Sequence, residues 1–290
     1  MIVDIHTHTF PDTIATHAIN TLKNSSGMMP ATDGTIDGLI ASMEEQGIDY
    51  SVILPIVTKP SQLETINRVA IETNEKYADN HIISFGSIHP DNTSYRQVCR
   101  QLAANGVKGI KLHPVFQGIP FDDIRYMRIV EAACYYNLTI LVHGGYDASF
   151  PGVKLVTHKE IENVLRDVRP VNMIMAHMGA WGFWEEIAEL LTSYKIMMDT
   201  SFALTVPTPT GNDTDVLTGA KKERLDYRKL TNEMFCKMVR LAGAQNVFFG
   251  SDSPWNRQDV SADAIRQTSL TDRECDLILG LNAKRLLKIN

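Results

Sequence analysis

Two kinds of pattern alternate along the chain. Short, strand-like apolar runs fall at 2–8, 50–57, 82–90, 107–114, 139–145, 171–179, 195–203 and 246–254. Between them lie amphipathic stretches at 35–46, 61–78, 94–104, 122–136, 159–166, 183–193 and 231–242, with 260–267 and 282–287 after the last run. The first kind reads as strands and the second as helices. Strands that alternate with helices build a parallel sheet, because a parallel crossover consumes about a helix's length of chain. Eight strands is also the number that closes a (β/α)8 barrel. The rival is an open doubly wound sheet, whose nucleotide-binding forms open with a glycine fingerprint; neither G-x-G-x-x-G nor G-x-x-x-x-G-K-[ST] occurs here. The prediction is a single-domain α/β barrel over 1–290, with no low-complexity linker or short-period repeat to divide it.

Three segments read as long loops: 24–34, 146–158 and 207–228. The second and third leave the C-terminal ends of strands, where a barrel builds its active site. The third reads equally as a lid or as a surface insertion.

Composition narrows the field. The 290 residues are 44% hydrophobic and 21% charged, as in an ordinary globular domain. A net charge of −6 leaves no basic excess to neutralise phosphates, so no nucleic-acid partner is expected. Met1 leads straight into a short strand without a basic segment, and no run approaches the roughly 18 apolar residues of a membrane span. The four cysteines, Cys99, Cys134, Cys236 and Cys275, form no C-x-x-C pair. These features lead to the expectation of a cytoplasmic protein with free thiols and no membrane partner, acting on a small molecule, with homo-oligomer formation left open.

The candidate chemistry collects at strand ends. His6-Thr7-His8 closes the first run, and residues two apart in a strand face the same side. Lys111 and His113 end the fourth run, His143 the fifth in LVHGG, His177 the sixth in MAHMG, and Asp252 the eighth in FGSDSPW. In a barrel these ends converge on one mouth. Imidazoles and carboxylates suit Zn²⁺, or Fe²⁺ or Mn²⁺, and a catalytic site needs about three protein ligands with one position open. Such an ion lowers the pKa of water towards about 7, and a neighbouring carboxylate or imidazole takes the proton. Each residue also has a plain structural reading: Asp252 before Ser-Pro caps or turns, and a lone strand-end histidine bonds backbone. The conjunction on separate strands is what points to a metal. His89, before Pro90, reads as structural, and His17, His81 and His158 as surface residues. Asp4 shares strand parity with His6 and His8 and is expected to point inward one layer deeper, as a hydrogen-bonding residue.

As an ordered set, DIHTH at 4–8, HGG at 143–145, HMG at 177–179, GSDSPW at 250–255 and NAKRLL at 282–287 resemble the amidohydrolase superfamily, in its amidohydrolase-related (amidohydrolase 2) branch. The resemblance spans almost the whole chain; it is specific for fold and poorly specific for substrate. It implies a TIM barrel with the metal at its mouth. It further implies His6 and His8 as first-strand ligands, His143 as the fifth-strand ligand, and Asp252 as eighth-strand ligand and proton acceptor. His177 takes the place of the acid/base residue. Lys111, in GIKLHP, also resembles the fourth-strand lysine of binuclear members such as dihydroorotases, which is carboxylated and bridges two ions. In that case His143 and His177 would hold the second ion. One Zn²⁺ is favoured, because the other motifs resemble the mononuclear branch. Lys111, His113 and Trp255 are then expected to meet substrate.

Three functions follow. The leading one is hydrolysis of a small carbonyl compound (lactone, amide or ester) by metal-activated water. The alternative is metal-dependent non-oxidative decarboxylation of an unsaturated or aromatic acid, with His177 or Asp252 delivering the proton. The third is a non-catalytic metal-binding barrel, against which the full ligand set argues. A decarboxylase of conjugated acids should line its mouth with a cation and flat side chains. Trp181, Phe183, Trp184, Trp255 and Arg257 follow two motif ends, although such residues also pack the next helix.

Overall fold

The first strand, Val3–Thr7 (β1), is buried at every residue, which requires cover on both faces and both edges. A computed structural model, which describes residues 1–210 and 228–289, shows how this is met. The remaining strands are β2 (Tyr50–Ile53), β3 (Ile82–Ser84 with Gly86–Ser87), β4 (Gly109–Leu112), β5 (Thr139–Val142), β6 (Met173–Met175), β7 (Met197–Asp199) and β8 (Val247–Phe248). Neighbours in sequence pair parallel throughout. β3 is one strand interrupted at Phe85, whose N–H still reaches the Ile53 carbonyl at 2.9 Å. The last strand then returns to the first. Ile5 N donates to Phe249 O at 2.9 Å, Asp252 N to His6 O at 2.9 Å, and His8 N to Ser253 O at 2.6 Å. The sheet closes on itself, and the fold is the predicted (β/α)8 barrel.

Two apolar layers flank this sheet. Inside, Val3, Ile5, Val52, Leu54, Ile83, Phe85, Leu141, Ile174 and Phe248 fill the barrel, and Ala283 and Leu287 of the helix Asn282–Leu287 join the same cluster. Outside, a larger cluster packs the sheet against the helices. The helices carry local start signals: Thr35 Oγ1 accepts from Gly38 N, and Thr157 with Glu160 and Thr271 with Glu274 form reciprocal caps. The helix Asp12–Ser26 runs three residues into the predicted loop 24–34 and stops at Gly27, at φ +73°. The predicted loop 207–228 lies largely outside the described residues. Among the described residues no helix is long and apolar enough to cross a membrane.

Two expectations need correction. Asp4 does not point inward beneath His6. Its carboxylate accepts from Ser251 N at 3.0 Å, Ser251 Oγ at 2.6 Å, Gln258 Nε2 at 2.9 Å and His6 N at 3.1 Å. Gln258 starts the helix Gln258–Arg266, and its amide oxygen accepts from Ser42 on the helix Ile36–Gln46, so Asp4 faces the helical layer. The register of β1 on β2 shifts between Asp4 and Thr7. That irregularity breaks the strict alternation on which the expectation rested. His158 is half-buried rather than on the surface, and its Nδ1 is enclosed without a partner.

Asp4 thus ties β1 to the turn after β8 and to two helices. Asp4→Ala leaves four donors without their acceptor and is expected to destabilise the fold by about 3 kcal/mol. Urea unfolding checks this; a loss below about 1 kcal/mol contradicts the role.

Candidate active site

Above the apolar interior the barrel turns polar. His6, Lys111, His113, His143, His177, Asp199 and Asp252 are all buried at the C-terminal ends of the strands. Barrel closure brings the first and eighth strand ends together. Asp252 Oδ1 lies 3.1 Å from His8 Nε2 and 3.6 Å from His6 Nε2. One ligand atom from each of these three residues falls within 4.8 Å of the others.

The hydrogen-bond partners fix where each ring keeps its lone pair. His8 Nδ1 meets the Leu54 carbonyl at 2.9 Å, and His6 Nδ1 meets Asp199 Oδ2 at 2.8 Å. A carbonyl or an ionised carboxylate only accepts, so both Nδ1 atoms carry the proton and both Nε2 atoms present lone pairs to Asp252. Three acceptors facing one another in a buried space repel unless a cation lies among them. Lys111 supplies part of that charge, with Nζ 3.2 Å from His6 Nε2. A divalent ion fits the same donors, with ring nitrogens and a carboxylate converging and the far nitrogens tied down behind them.

His143 lies apart from this group. Its Nε2 meets the Tyr146 carbonyl at 3.0 Å, which places its own lone pair on Nδ1. Nδ1 faces His177 Nε2 at 3.0 Å, while His177 Nδ1 meets the Ser201 carbonyl at 3.2 Å. The facing atoms of this pair are therefore both acceptors, and the contact requires a proton or a metal between them. Of the four expected ligands the fold brings His6, His8 and Asp252 together. It sets His143 beside His177 and against His113, whose ring stacks on it at 4.0 Å.

Burial and charge set the protonation of this array. Burial lowers His6 to about 4, helped by Lys111, and lowers His177 in the same direction. Burial drives Lys111 down to about 8 against the pull of Asp199 and Asp252. Asp252 is pushed up by burial, but His6 and His8 outweigh that and hold it far below the usual carboxylate range. Asp199 is likewise held to about 2, burial being overcome by His6, His177 and Ser201. His6 and His177 are therefore neutral and the two carboxylates charged near pH 7, the state a metal site requires.

Other expected residues divide. Lys111 is fully buried beside His6. His113 caps the short helix Pro114–Gln117 and turns Nε2 to Asp147 Oδ2 at 3.5 Å. Trp255 is half-buried, packs on the main core and donates its backbone N–H to the Asp252 carbonyl at 2.9 Å. Trp184 is a packing residue whose indole bonds the His177 carbonyl, and Arg257 is exposed and paired with Asp259 and Glu45. Three residues at the site went unread in the sequence: Asp147, Asp199 and Ser201. Asp199 ends a strand as His6 and Asp252 do, so its position was the available signal.

Backbone geometry explains the motif glycines. His177 and Asp252 both sit at left-handed φ, +61° and +64°. That conformation costs a non-glycine residue about 1–2 kcal/mol, and it is held by His177 N donating to Asp199 and Asp252 N to His6 O. Gly144 packs so close to the neighbouring turn that a Cβ would lie 2.3 Å from Gly179 O.

A family model described as Amidohydrolase matches residues 3–289, and the chain belongs to that family of metal-dependent enzymes. No curated protein matches. Several solved structures are similar in fold. An uncharacterised TIM-barrel protein from Bordetella bronchiseptica superposes with TM-score 0.74 at 15% identity, over 99% of this chain and 98% of that one. A 5-carboxyvanillate decarboxylase from Novosphingobium aromaticivorans with bound manganese gives 0.67 at 12% identity, over 100% and 97%. A probable 2-pyrone-4,6-dicarboxylic acid hydrolase from Acinetobacter baumannii, with citric acid bound, gives 0.63 at 16% identity, over 99% of both chains.

Gly144→Ala sets a methyl group against fixed backbone, and is expected to cost about 2–3 kcal/mol and to reduce activity by displacing His143. Gly152→Ala, at φ +81° with no neighbour in reach, is expected to cost about 1 kcal/mol and leave activity intact. Equal stability losses in the two variants contradict the close-approach account.

Proposed function

We propose that the protein is a metal-dependent hydrolase of a small carbonyl compound, a lactone, amide or ester, using one Zn²⁺. The observation that carries this is the convergence of lone pairs from His6, His8 and Asp252 on one buried point. His143, whose Nδ1 lone pair faces His177 in the metal-free chain, would complete the ligands in this reading by turning that nitrogen to the ion. Two nitrogens or more with one carboxylate favour Zn²⁺ over the harder divalent ions.

When bound, the ion acidifies water and polarises a carbonyl. The chain's own residues do the rest. Asp252 accepts a proton from the attacking water, since it is ionised and adjacent. His177, with its proton on Nδ1 fixed on the Ser201 carbonyl, takes up a proton at its Nε2 lone pair and passes it to the leaving group. Lys111 keeps a positive charge at the base of the site, where it stabilises an oxyanion or orients a carboxylate of the substrate.

The alternative remains non-oxidative decarboxylation, which uses the same metal and proton-transfer group. Its support from the sequence was a cation among flat side chains after the motif ends. Arg257 turns instead to Asp259 and Glu45, and Trp184 packs beneath His177. That takes Arg257 and Trp184, two of the five residues that favoured it, out of the lining, and hydrolysis is kept as the leading reading.

A panel of lactones, amides and unsaturated or aromatic acids, with Zn²⁺ added back, tests this. Ring opening or amide cleavage without CO₂ supports it; CO₂ release as the main product overturns it. Asp252→Asn is expected to lower kcat by at least about 10³-fold, more than it changes KM. His8→Ala is expected to reduce bound metal per chain, measured by elemental analysis, to well below that of the unaltered protein; undiminished metal contradicts the ligand set.

A further inference from the structure

One carboxylate touches both halves of the site. Asp199 Oδ2 accepts from His6 Nδ1 at 2.8 Å. Asp199 Oδ1 accepts from His177 N at 3.0 Å, from Ser201 N at 3.0 Å and from the Ser201 hydroxyl in a short bond. The Ser201 hydroxyl has spent its proton on Asp199, so towards His177 Nδ1, 2.8 Å away, and His6 Nδ1, 3.1 Å away, it accepts. The Ser201 carbonyl, 3.2 Å from the same nitrogen, also accepts. His177 therefore keeps its proton on Nδ1, and His6 keeps its own on Nδ1 facing Asp199. Lys111 Nζ, a donor 3.2 Å from His6 Nε2, independently requires the same tautomer of His6. Asp199 is fully buried.

We propose that Asp199 is the positioning residue of the site: through Oδ2 it fixes His6, and through Oδ1 and Ser201 it fixes His177, so that both rings aim an Nε2 lone pair into the mouth. The two oxygens are not equivalent. Oδ1 has three donors, from His177 N, Ser201 N and Ser201 Oγ, while Oδ2 faces the His6 ring. In Asp199→Asn the amide oxygen must stay with the three donors. The amide NH₂ then faces His6 Nδ1 and donates to it, which favours the Nε2–H form of His6 against the opposing pull of Lys111 Nζ on Nε2 and of the Ser201 hydroxyl, 3.1 Å from Nδ1. The side chain keeps its size and place, and in that form the lone pair that would meet the metal is lost.

The tautomer of each ring is read directly from two-dimensional ¹⁵N–¹H correlation spectra of the imidazoles in metal-free protein. The unaltered chain is expected to show His6 and His177 protonated at Nδ1. Asp199→Asn is expected to move His6 to the Nε2–H form and to weaken Zn²⁺ binding about 10–100-fold in competition with a chromogenic chelator. Ser201→Ala keeps Asp199 on His6, and is expected to leave the His6 tautomer and Zn²⁺ affinity within about threefold of the unaltered protein. An Nε2–H form of His6 in the unaltered chain overturns the proposal, as does unchanged His6 and Zn²⁺ binding in Asp199→Asn. The spectra need only the unaltered chain to be decisive, should a variant fail to fold. The affinity arm rests on His6 being a metal ligand, as proposed above; the tautomer arm does not. If His6 shifts in Asp199→Asn while Zn²⁺ affinity stays the same, the ligand assignment has failed and the positioning role of Asp199 stands.

Discussion

The site exists because the eighth strand closes on the first. Three backbone hydrogen bonds make that seam: Ile5 to Phe249, Asp252 to His6, and His8 to Ser253. Two of the three involve the backbone of residues that also face the mouth. Closure of the barrel and assembly of the His6–His8–Asp252 group are thus one event. Asp4 braces the seam from the helical side through Ser251 and Gln258. A shift of register at this seam would separate the carboxylate from both rings.

The chemistry of the mouth follows from placing many polar groups where water is scarce. Burial strips His6, His113, His143 and His177 of charge, and the carboxylates that remain ionised do so because imidazoles and hydroxyls face them. Each ring is held from behind by an oxygen that can only accept: Asp199, or the carbonyl of Leu54, Tyr146 or Ser201. The lone pairs consequently point at one another. Such an arrangement is unfavourable on its own and favourable around a cation, which is the property expected of a site prepared for metal.

Much of this was legible in the sequence. The eight strand runs, their alternation with helices and the strand-end placement of His6, His8, His143, His177 and Asp252 all follow from periodicity and short motifs. What stayed hidden depended on details that periodicity does not encode. Asp4 was misdirected because the register of β1 shifts before His6, and a pattern of alternation cannot show such a shift. His143 stands beside His177 because the loop carbonyl of Tyr146 holds it there, and nothing in HGG specifies that contact. Asp199 and Ser201 went unread because they carry no motif. Their importance comes from the partners that the fold brings to them from β1 and the end of β6. Asp147, from the loop 146–158, is of the same kind.

The central claim is that His6, His8 and Asp252 converge on a metal ion. Anomalous diffraction at the zinc edge, from crystals grown with Zn²⁺, tests it most directly. The account predicts one strong peak bonded to His6 Nε2, His8 Nε2 and an Asp252 oxygen at about 2.0–2.2 Å, with His143 Nδ1 in the same shell. A peak only beside His113 and Asp147, two ions bridged by a modified Lys111, or no bound ion at all would contradict it.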